Sequence, residues 1–270
     1  MKIIILAAGQ GSRLRPFTND RPKSMVELAG KALILHQLEA MQAAGIACED
    51  IAIVTGYKKE HQEKLGFKTF VNPEYMTTNM VYSLFCAEDW MADDEDLLIA
   101  YGDIVYDPIV IQTLLNKKGD IVLAADLEWQ KLWAARAENF ILDAETFRID
   151  SAGLVSEVGK RPKSLSDIDA QYMGLIKVSA AKIKEFKEAF AARNAAELAE
   201  STICANMYMT DFLNDLIHAG WRVCPALISG GWLEVDTVSD LDLYASLLDS
   251  QKPGDLAPLF SAILQKPILS

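Results

Sequence analysis

The chain has 270 residues, of which 51% are hydrophobic and 24% charged, enough to bury a full core in one large α/β domain or one domain with an insertion. Its 38 acidic against 26 basic side chains give a formal charge of −12, which argues against nucleic-acid binding as the main task, because such contacts need dispersed positive surface. No apolar run reaches membrane-span length, "MKIIILAAG" turns polar too early for a secretory signal, and Cys48, Cys86, Cys204 and Cys224 lack metal or disulfide spacing, so the chain reads as cytoplasmic with reduced thiols.

Lys2 to Ala8, apolar after its first residue, is a short continuous run ending at a glycine, the pattern of a fully buried, parallel strand. The loop "GQGSRLRPFTNDRPKSM" then lies at the carboxyl edge of a sheet, where open α/β folds bind ligands and glycines let backbone N–H groups approach phosphate oxygens. It is not a dinucleotide fingerprint, because Leu14 stands at the third glycine position, and no glycine precedes Lys23 as the Walker pattern requires. Arg13, Arg15, Arg21 and Lys23 nevertheless concentrate positive charge here in an acidic chain, which marks a local anion site.

Further apolar runs follow at "IAIVTG" from Ile51, "KTFVN" from Lys68, "DLLIAYGD" from Asp96 and "DIVLAAD" from Asp120. Helical patterns separate them at about Lys31 to Ala44, Thr78 to Met91 and Pro108 to Asn116, with Thr77 or Thr78 as the expected cap of the second. This alternation predicts a doubly wound, Rossmann-like α/β fold around a mixed, mostly parallel sheet. From about 127 to 170 a polar, aromatic-bearing stretch interrupts the pattern, with short strands near Phe147 and Leu154, and reads as an insertion over one sheet edge. The pattern resumes with "QYMGLIKVS", helices at about Ala180 to Ala192 and Met207 to Ala219, the strand "WRVCPALI" and a last helix opened by the capping box "TVSD". Residues 1–250 thus form one domain, and 251–270 a tail whose apolar residues pack on it or on a second copy in a homodimer.

Two carboxylates stand at strand ends: Asp103 after "DLLIAYG" and Asp236 in "GGWLEVDT". Mg²⁺ takes one or two carboxylates plus phosphate oxygens and waters, so the pair is a candidate metal site; a turn role for Asp103 and a cap role for Asp236 are the alternatives. Asn79 and Ser83 share a helix face, where an amide either reads a base edge or caps the helix. His36, His61 and His218 have no nucleophile constellation around them and read as structural.

"LAAGQGSRLRPFTNDRPKSM" resembles the signature G-x-G-x-R-L-x-P-x-T-x-x-x-P-K of the sugar nucleotidyltransferase superfamily. "VNPEYMTTNMVYSL", "YGDIVYD", "EVGKRPK", "QYMGL" and "GWLEVDTVSDLDLY" resemble its branch of CTP:phosphocholine and aminoethylphosphonate cytidylyltransferases, and "KLWAARAENFILDAET" resembles enzymes of this branch that cytidylate phosphorylated glutamine for capsule assembly. The resemblance covers nearly the whole chain to about Leu248. It implies attack of an acceptor phosphate or phosphonate oxygen on the α-phosphorus of CTP, with pyrophosphate leaving and Mg²⁺ as cofactor. By motif position it implies nucleotide contacts at Leu6, Ala7, Ala8, Gly9, Gly11 and Gly102, with Asn79 and Ser83 bordering the base. Arg13 and Lys23 would serve the triphosphate, Asp103 and Asp236 the metal, and Lys160 the acceptor phosphate, for which Lys163 nearby is the alternative.

Acceptor choice rests on aromatics. Trp133, Tyr172 and Trp232, with Glu234 beside them, would surround an ammonium group by cation–π attraction, whereas Trp129 reads equally as core of the insertion. A hexose 1-phosphate used with UTP, dTTP or GTP is the alternative substrate within the same chemistry. A catalytically silent nucleotide sensor is the alternative outside it, disfavoured by the presence together of Arg13, Lys23, Asp103 and Asp236.

Overall fold

A computed structural model describes residues 1–137, 139–199 and 206–249. The 251–270 tail and Cys204 fall outside these residues. The chain opens with β1 (Lys2–Ala7), the glycine-containing loop, the two-residue strands β2 (Glu27–Leu28) and β3 (Lys31–Ala32), and α1 (Leu33–Ala43). Next come β4 (Ile51–Thr55), the single turn α2 (Glu60–Glu63), β5 (Lys68–Val71), α3 (Met80–Phe85) and β6 (Leu97–Tyr101). Then follow β7 (Ile104–Tyr106), α4 (Pro108–Asn116), β8 (Ile121–Asp126) and α5 (Trp129–Arg136). The second half holds β9 (Phe147–Ile149), β10 (Val155–Val158), β11 (Gln171–Val178), α6 (Ile183–Ala199), α7 (Met209–His218), β12 (Val223–Ile228), β13 (Trp232–Glu234) and α8 (Val238–Asp249).

Seven strands form the central sheet in the order β12-β8-β11-β6-β1-β4-β5. β1 pairs in parallel with β4 and β6, β4 with β5 and β12 with β8, whereas β11 is antiparallel to both β6 and β8. The sheet is therefore mixed and mostly parallel. Both faces are covered: Ile3, Ile5 and Ala7 join one core, Ile4, Leu6 and Ala8 the other. A strand buried on both sides must be apolar at every position, which is why β1 shows a continuous run and no alternation.

The one reversed strand has a functional consequence. It brings the amino end of β11 to the edge at which the parallel strands end, with Gln171 beside Asp126, the last residue of β8. The site thus forms around the carboxyl ends of β1 and β6 and the beginning of β11.

Local expectations shift in two places. α3 is shorter than its apolar pattern, and its cap is Asn79, whose side-chain oxygen accepts from the Met80 N–H. Thr78 instead donates to the Glu74 carbonyl and accepts from Asn72, so its hydroxyl is committed before the helix begins. The 127–170 segment does not stay at one sheet edge. Its α5 places Trp129, Leu132 and Trp133 in one core, while its β9–β10 hairpin places Phe147, Val155 and Val158 in the other. The "TVSD" box forms as expected, with Asp240 and Thr237 exchanging side-chain to backbone hydrogen bonds. Cys48, Cys86 and Cys224 are free thiols. Among the described residues no helix is long and apolar enough to cross a membrane.

Candidate active site

The loop after β1 is tied down from several sides. The Thr18 hydroxyl donates to the Gly11 carbonyl at 2.8 Å, and the Tyr57 hydroxyl donates to the Asn19 carbonyl at 2.9 Å. Gln62, buried on α2, donates to the Ala7 carbonyl at 2.7 Å and to Ser24 at 3.0 Å, which fixes the end of β1 against the residue after Lys23. Gly11 has a left-handed φ of +66°, and a Cβ there would lie 2.8 Å from the Lys23 Cβ. The glycine thus lets the loop fold over the lysine stem, a conformation that other residues adopt only with strain.

Asp103 and Asp236, far apart in sequence, meet through a ribbon that no local pattern announces. β7 begins just after Asp103 and pairs antiparallel with β13, which ends just before Asp236; Ile104 lies opposite Glu234 and Tyr106 opposite Trp232. The Val235 N–H donates to the Asp103 carbonyl at 3.0 Å and closes the ribbon. The Lys23 ammonium then donates to Asp103 at 2.6 Å and to Asp236, and Arg13 reaches the same Asp236 oxygen at 3.1 Å. Burial pulls the Lys23 pKa down, but Asp103, Asp236 and Glu234 outweigh it and the group titrates above its ordinary range. Burial likewise would raise Asp236, yet Lys23, Arg13 and Arg136 hold its carboxyl below the usual carboxylate range.

Arg136, which the sequence reading passed over, lies behind this pair. Its side chain is 6% exposed and bonds to Asp240 at 2.9 Å and Glu234 at 3.0 Å, with Asp236 at 3.8 Å, while its guanidinium stacks 4.9 Å from the Trp133 ring centre. Asp240 in turn accepts from the Asp236 and Thr237 N–H groups. Arg136 and Asp240 therefore set the angle at which Asp236 enters the site. Glu234 is raised, by burial first and by the neighbouring Asp236 second, against the pull of Arg136. The only signal for Arg136 in the sequence is its place on α5 three residues after Trp133, which puts both on one helix face.

Two cavities meet at Lys23, Asp103 and Met80. The smaller, about 150 Å³, is lined by Leu6, Ala7, Ala8 and Gly9 at the end of β1, by Gly102, and by Asn79 and Ser83 from the α3 turn. Asn79 spends its carbonyl oxygen on the helix cap and its amide on the Asn206 carbonyl at 3.4 Å, so the capping alternative accounts for it. Ser83 accepts from the Asn72 amide at 2.9 Å and keeps its proton for another partner. Gly11 lies outside the cavity wall and acts on it through Lys23.

The larger cavity, about 310 Å³, contains Arg13, Lys23, Trp133, Tyr172, Glu234 and Asp236 among its lining residues. Trp232 and Lys160 are absent from it. Trp232 is buried at 2% exposure, its indole N–H donating to Asp126 at 3.0 Å and its ring packed behind Trp133 at 5.9 Å, because a buried indole needs an acceptor and the end of β8 supplies one. Lys160 is half exposed and pairs with Glu157 at 2.7 Å; Lys163 uses its backbone N–H on Asp167. Trp129 is core, edge-on to Trp133 and Phe140.

The donor set at the junction suits a hard divalent cation. Among the described residues Asp103 Oδ1 is buried without a hydrogen-bond partner, Asp236 Oδ2 has the distant Arg136 at 3.8 Å, and the two carboxylates reach one common point, the Lys23 ammonium. Among the described residues no group of three or more His, Cys, Asp or Glu side chains forms a metal cage by itself. Two carboxylates completed by phosphate oxygens and water are the donors Mg²⁺ prefers.

A glycine loop at a sheet edge, a lysine and an arginine beside two carboxylates, and a second cavity adjoining the first define an enzyme that joins a nucleotide to another small molecule: a nucleotidyltransferase. Residues 3–150 match the MobA-like NTP transferase domain, and the chain belongs to that family. It is 39% identical over 252 residues to a CTP:phosphoglutamine cytidylyltransferase of Campylobacter jejuni, covering 90% of this chain and 98% of that one. It is 32% identical over 180 residues to a choline-phosphate cytidylyltransferase of Streptococcus pneumoniae, covering 64% of this chain and 77% of the relative. A solved CTP:phosphocholine cytidylyltransferase of Streptococcus pneumoniae shares the fold at a TM-score of 0.66 and 22% identity, over 92% of this chain and 99% of that one.

Proposed function

We propose that the protein transfers CMP from CTP to a phosphate or phosphonate oxygen of a small amine-bearing acceptor and releases pyrophosphate. The observation that carries this reading is the Lys23 ammonium held between Asp103 and Asp236 where the two cavities meet. An acceptor oxygen approaching from the larger cavity attacks the α-phosphorus of a nucleotide in the smaller one, and the bond to the β-phosphate oxygen breaks. Transfer of this kind needs positioning and charge neutralisation more than covalent help. Arg13 and Lys23 supply fixed positive charge to the triphosphate. Asp103 and Asp236 would hold Mg²⁺, which when bound neutralises charge on the departing pyrophosphate.

Cytosine and an amine-bearing acceptor are favoured because the two relatives named above are cytidylyltransferases, one for phosphoglutamine and one for choline phosphate. The wall of the larger cavity includes the carboxylates of Asp143 and Glu145, whose charge favours a cationic acceptor over a neutral hexose ring. The test is a pyrophosphate-release screen crossing CTP, UTP, ATP, GTP and dTTP with phosphocholine, phosphoethanolamine, aminoethylphosphonate, phosphoglutamine and hexose 1-phosphates. The expected winner is CTP with an amine-bearing acceptor. A hexose 1-phosphate used as well or better would reject the acceptor class.

Lys23→Ala separates the two cavities by function. Removing the ammonium should raise the KM for CTP and lower kcat with every acceptor, by about 100-fold in kcat/KM, as expected for loss of a charge that stabilises the transferring phosphates. If the variant were impaired only in acceptor saturation, with nucleotide binding intact, Lys23 would belong to the other substrate.

A further inference from the structure

Among the described residues, five polar atoms of side chains that line the larger cavity are buried without a hydrogen-bond partner: Asp103 Oδ1, Trp133 Nε1, Gln171 Oε1 and the hydroxyls of Tyr101 and Tyr172. Buried polar atoms are ordinarily paired, so a cluster lining one cavity marks where a ligand completes the bonding. The two phenols meet edge-to-face at 5.8 Å, and their hydroxyls neighbour one another without a hydrogen bond of good geometry.

The charges give the cluster a polarity. Of the cavity's carboxylates, Asp103 and Asp236 have Lys23, and Glu234 has Arg136. Among the described residues Asp143 and Glu145 have no ion-pair partner, and burial, then Asp143 and Asp211, raises the Glu145 carboxyl. Burial raises both phenols first and the Tyr101–Tyr172 contact modifies each, and the charge of Glu145, on the same cavity wall, raises both further. On the same wall Gln171, 4% exposed, offers an unsatisfied acceptor oxygen at the start of β11. Trp133 does not play the role its aromatic character suggests. The Arg136 guanidinium already stacks on its ring, and its unspent atom is an N–H, which seeks an acceptor and gives a cation nothing.

We infer that Glu145 and Gln171 recognise an ammonium group bearing N–H donors, so that the site takes primary amines and discriminates against quaternary ones. A primary ammonium has three donors and satisfies both the carboxylate and the amide oxygen. A trimethylated one has none and leaves Gln171 Oε1 buried and unpaired. This assignment rests on the larger cavity being the acceptor site.

The experiment compares each acceptor with its trimethylammonium form, using the full chain, CTP and Mg²⁺: phosphoethanolamine against phosphocholine, and phosphoglutamine against its Nα-trimethyl derivative. For whichever backbone turns over, kcat/KM should favour the primary amine by about tenfold or more. Glu145→Gln, which keeps the shape, should reduce that ratio several-fold through the acceptor KM and leave the CTP KM unchanged; Gln171→Leu should do the same. Equal or better use of the trimethyl form by the unmodified protein overturns the assignment, as does an unchanged ratio in both variants, while CMP transfer itself stands. Absence of pyrophosphate release with either backbone in either form overturns the acceptor reading along with it.

Discussion

Asp103→Asn and Asp236→Asn are each expected to lower turnover by about 100- to 1,000-fold while leaving the protein folded. The magnitude is that of removing a group aimed at charge developing in a transition state. Neither carboxylate holds an element of the fold together: Asp103 anchors the β7–β13 ribbon through its backbone carbonyl, and Asp236 is pinned through its N–H by Asp240. Asparagine preserves both backbone contacts and the side-chain shape, so what changes is the charge offered at the junction of the cavities. Initial rates at saturating CTP and acceptor in Mg²⁺, beside a thermal melt of each variant, make the measurement. Near-normal turnover of both variants would remove the two aspartates from the chemistry.

Arg136→Met should have the largest effect on stability. The guanidinium is almost fully buried and answers Glu234 and Asp240 directly and Asp236 at longer range, so deleting it leaves carboxylates facing one another with one cation fewer. Breaking a buried ion pair from one side typically costs about 3 to 5 kcal/mol, because the remaining charge is uncompensated. At about 2 to 4 °C per kcal/mol for a chain of this size, the melting temperature should fall by about 10 °C. Methionine keeps the apolar stem against Trp133, so the loss reports charge more than packing. Arg136→Lys should lie between, since one ammonium cannot reproduce the forked contacts to Asp240 and Glu234. A drop of less than about 2 °C for the methionine variant would mean that the network relaxes without its centre.

Arg136 acts on Asp236 through position and through its charge at longer range, and lysine keeps the charge but loses the fork, so a stable Arg136→Lys protein should show reduced kcat with little change in the KM for CTP.

The sequence alone determined the class of fold and the first half of the site. A continuous apolar run at β1 requires burial on both faces, and the glycine loop directly after it brings Gly9, Gly11 and Arg13 to the sheet edge by chain connection, while Lys23 is fixed there through Gln62 and Ser24. The Asp240–Thr237 capping box is equally local, as its spacing fixes it. What the sequence could not decide depends on pairings between distant segments. The β7–β13 ribbon brings Asp103 to Asp236, although both strands are three residues long and carry no periodicity to announce them. Trp232 and Trp133 pack in the same core a short distance apart, and only tertiary contact gives the Trp232 indole N–H the carboxylate of Asp126 while Trp133 borders the cavity. Gln171 reaches the cavity because β11 runs against its neighbours, a direction that composition does not encode. Burial and hydrogen-bond demand act on whichever groups tertiary contact brings together, so the roles of Arg136, Glu145 and Gln171 came into being only with the fold.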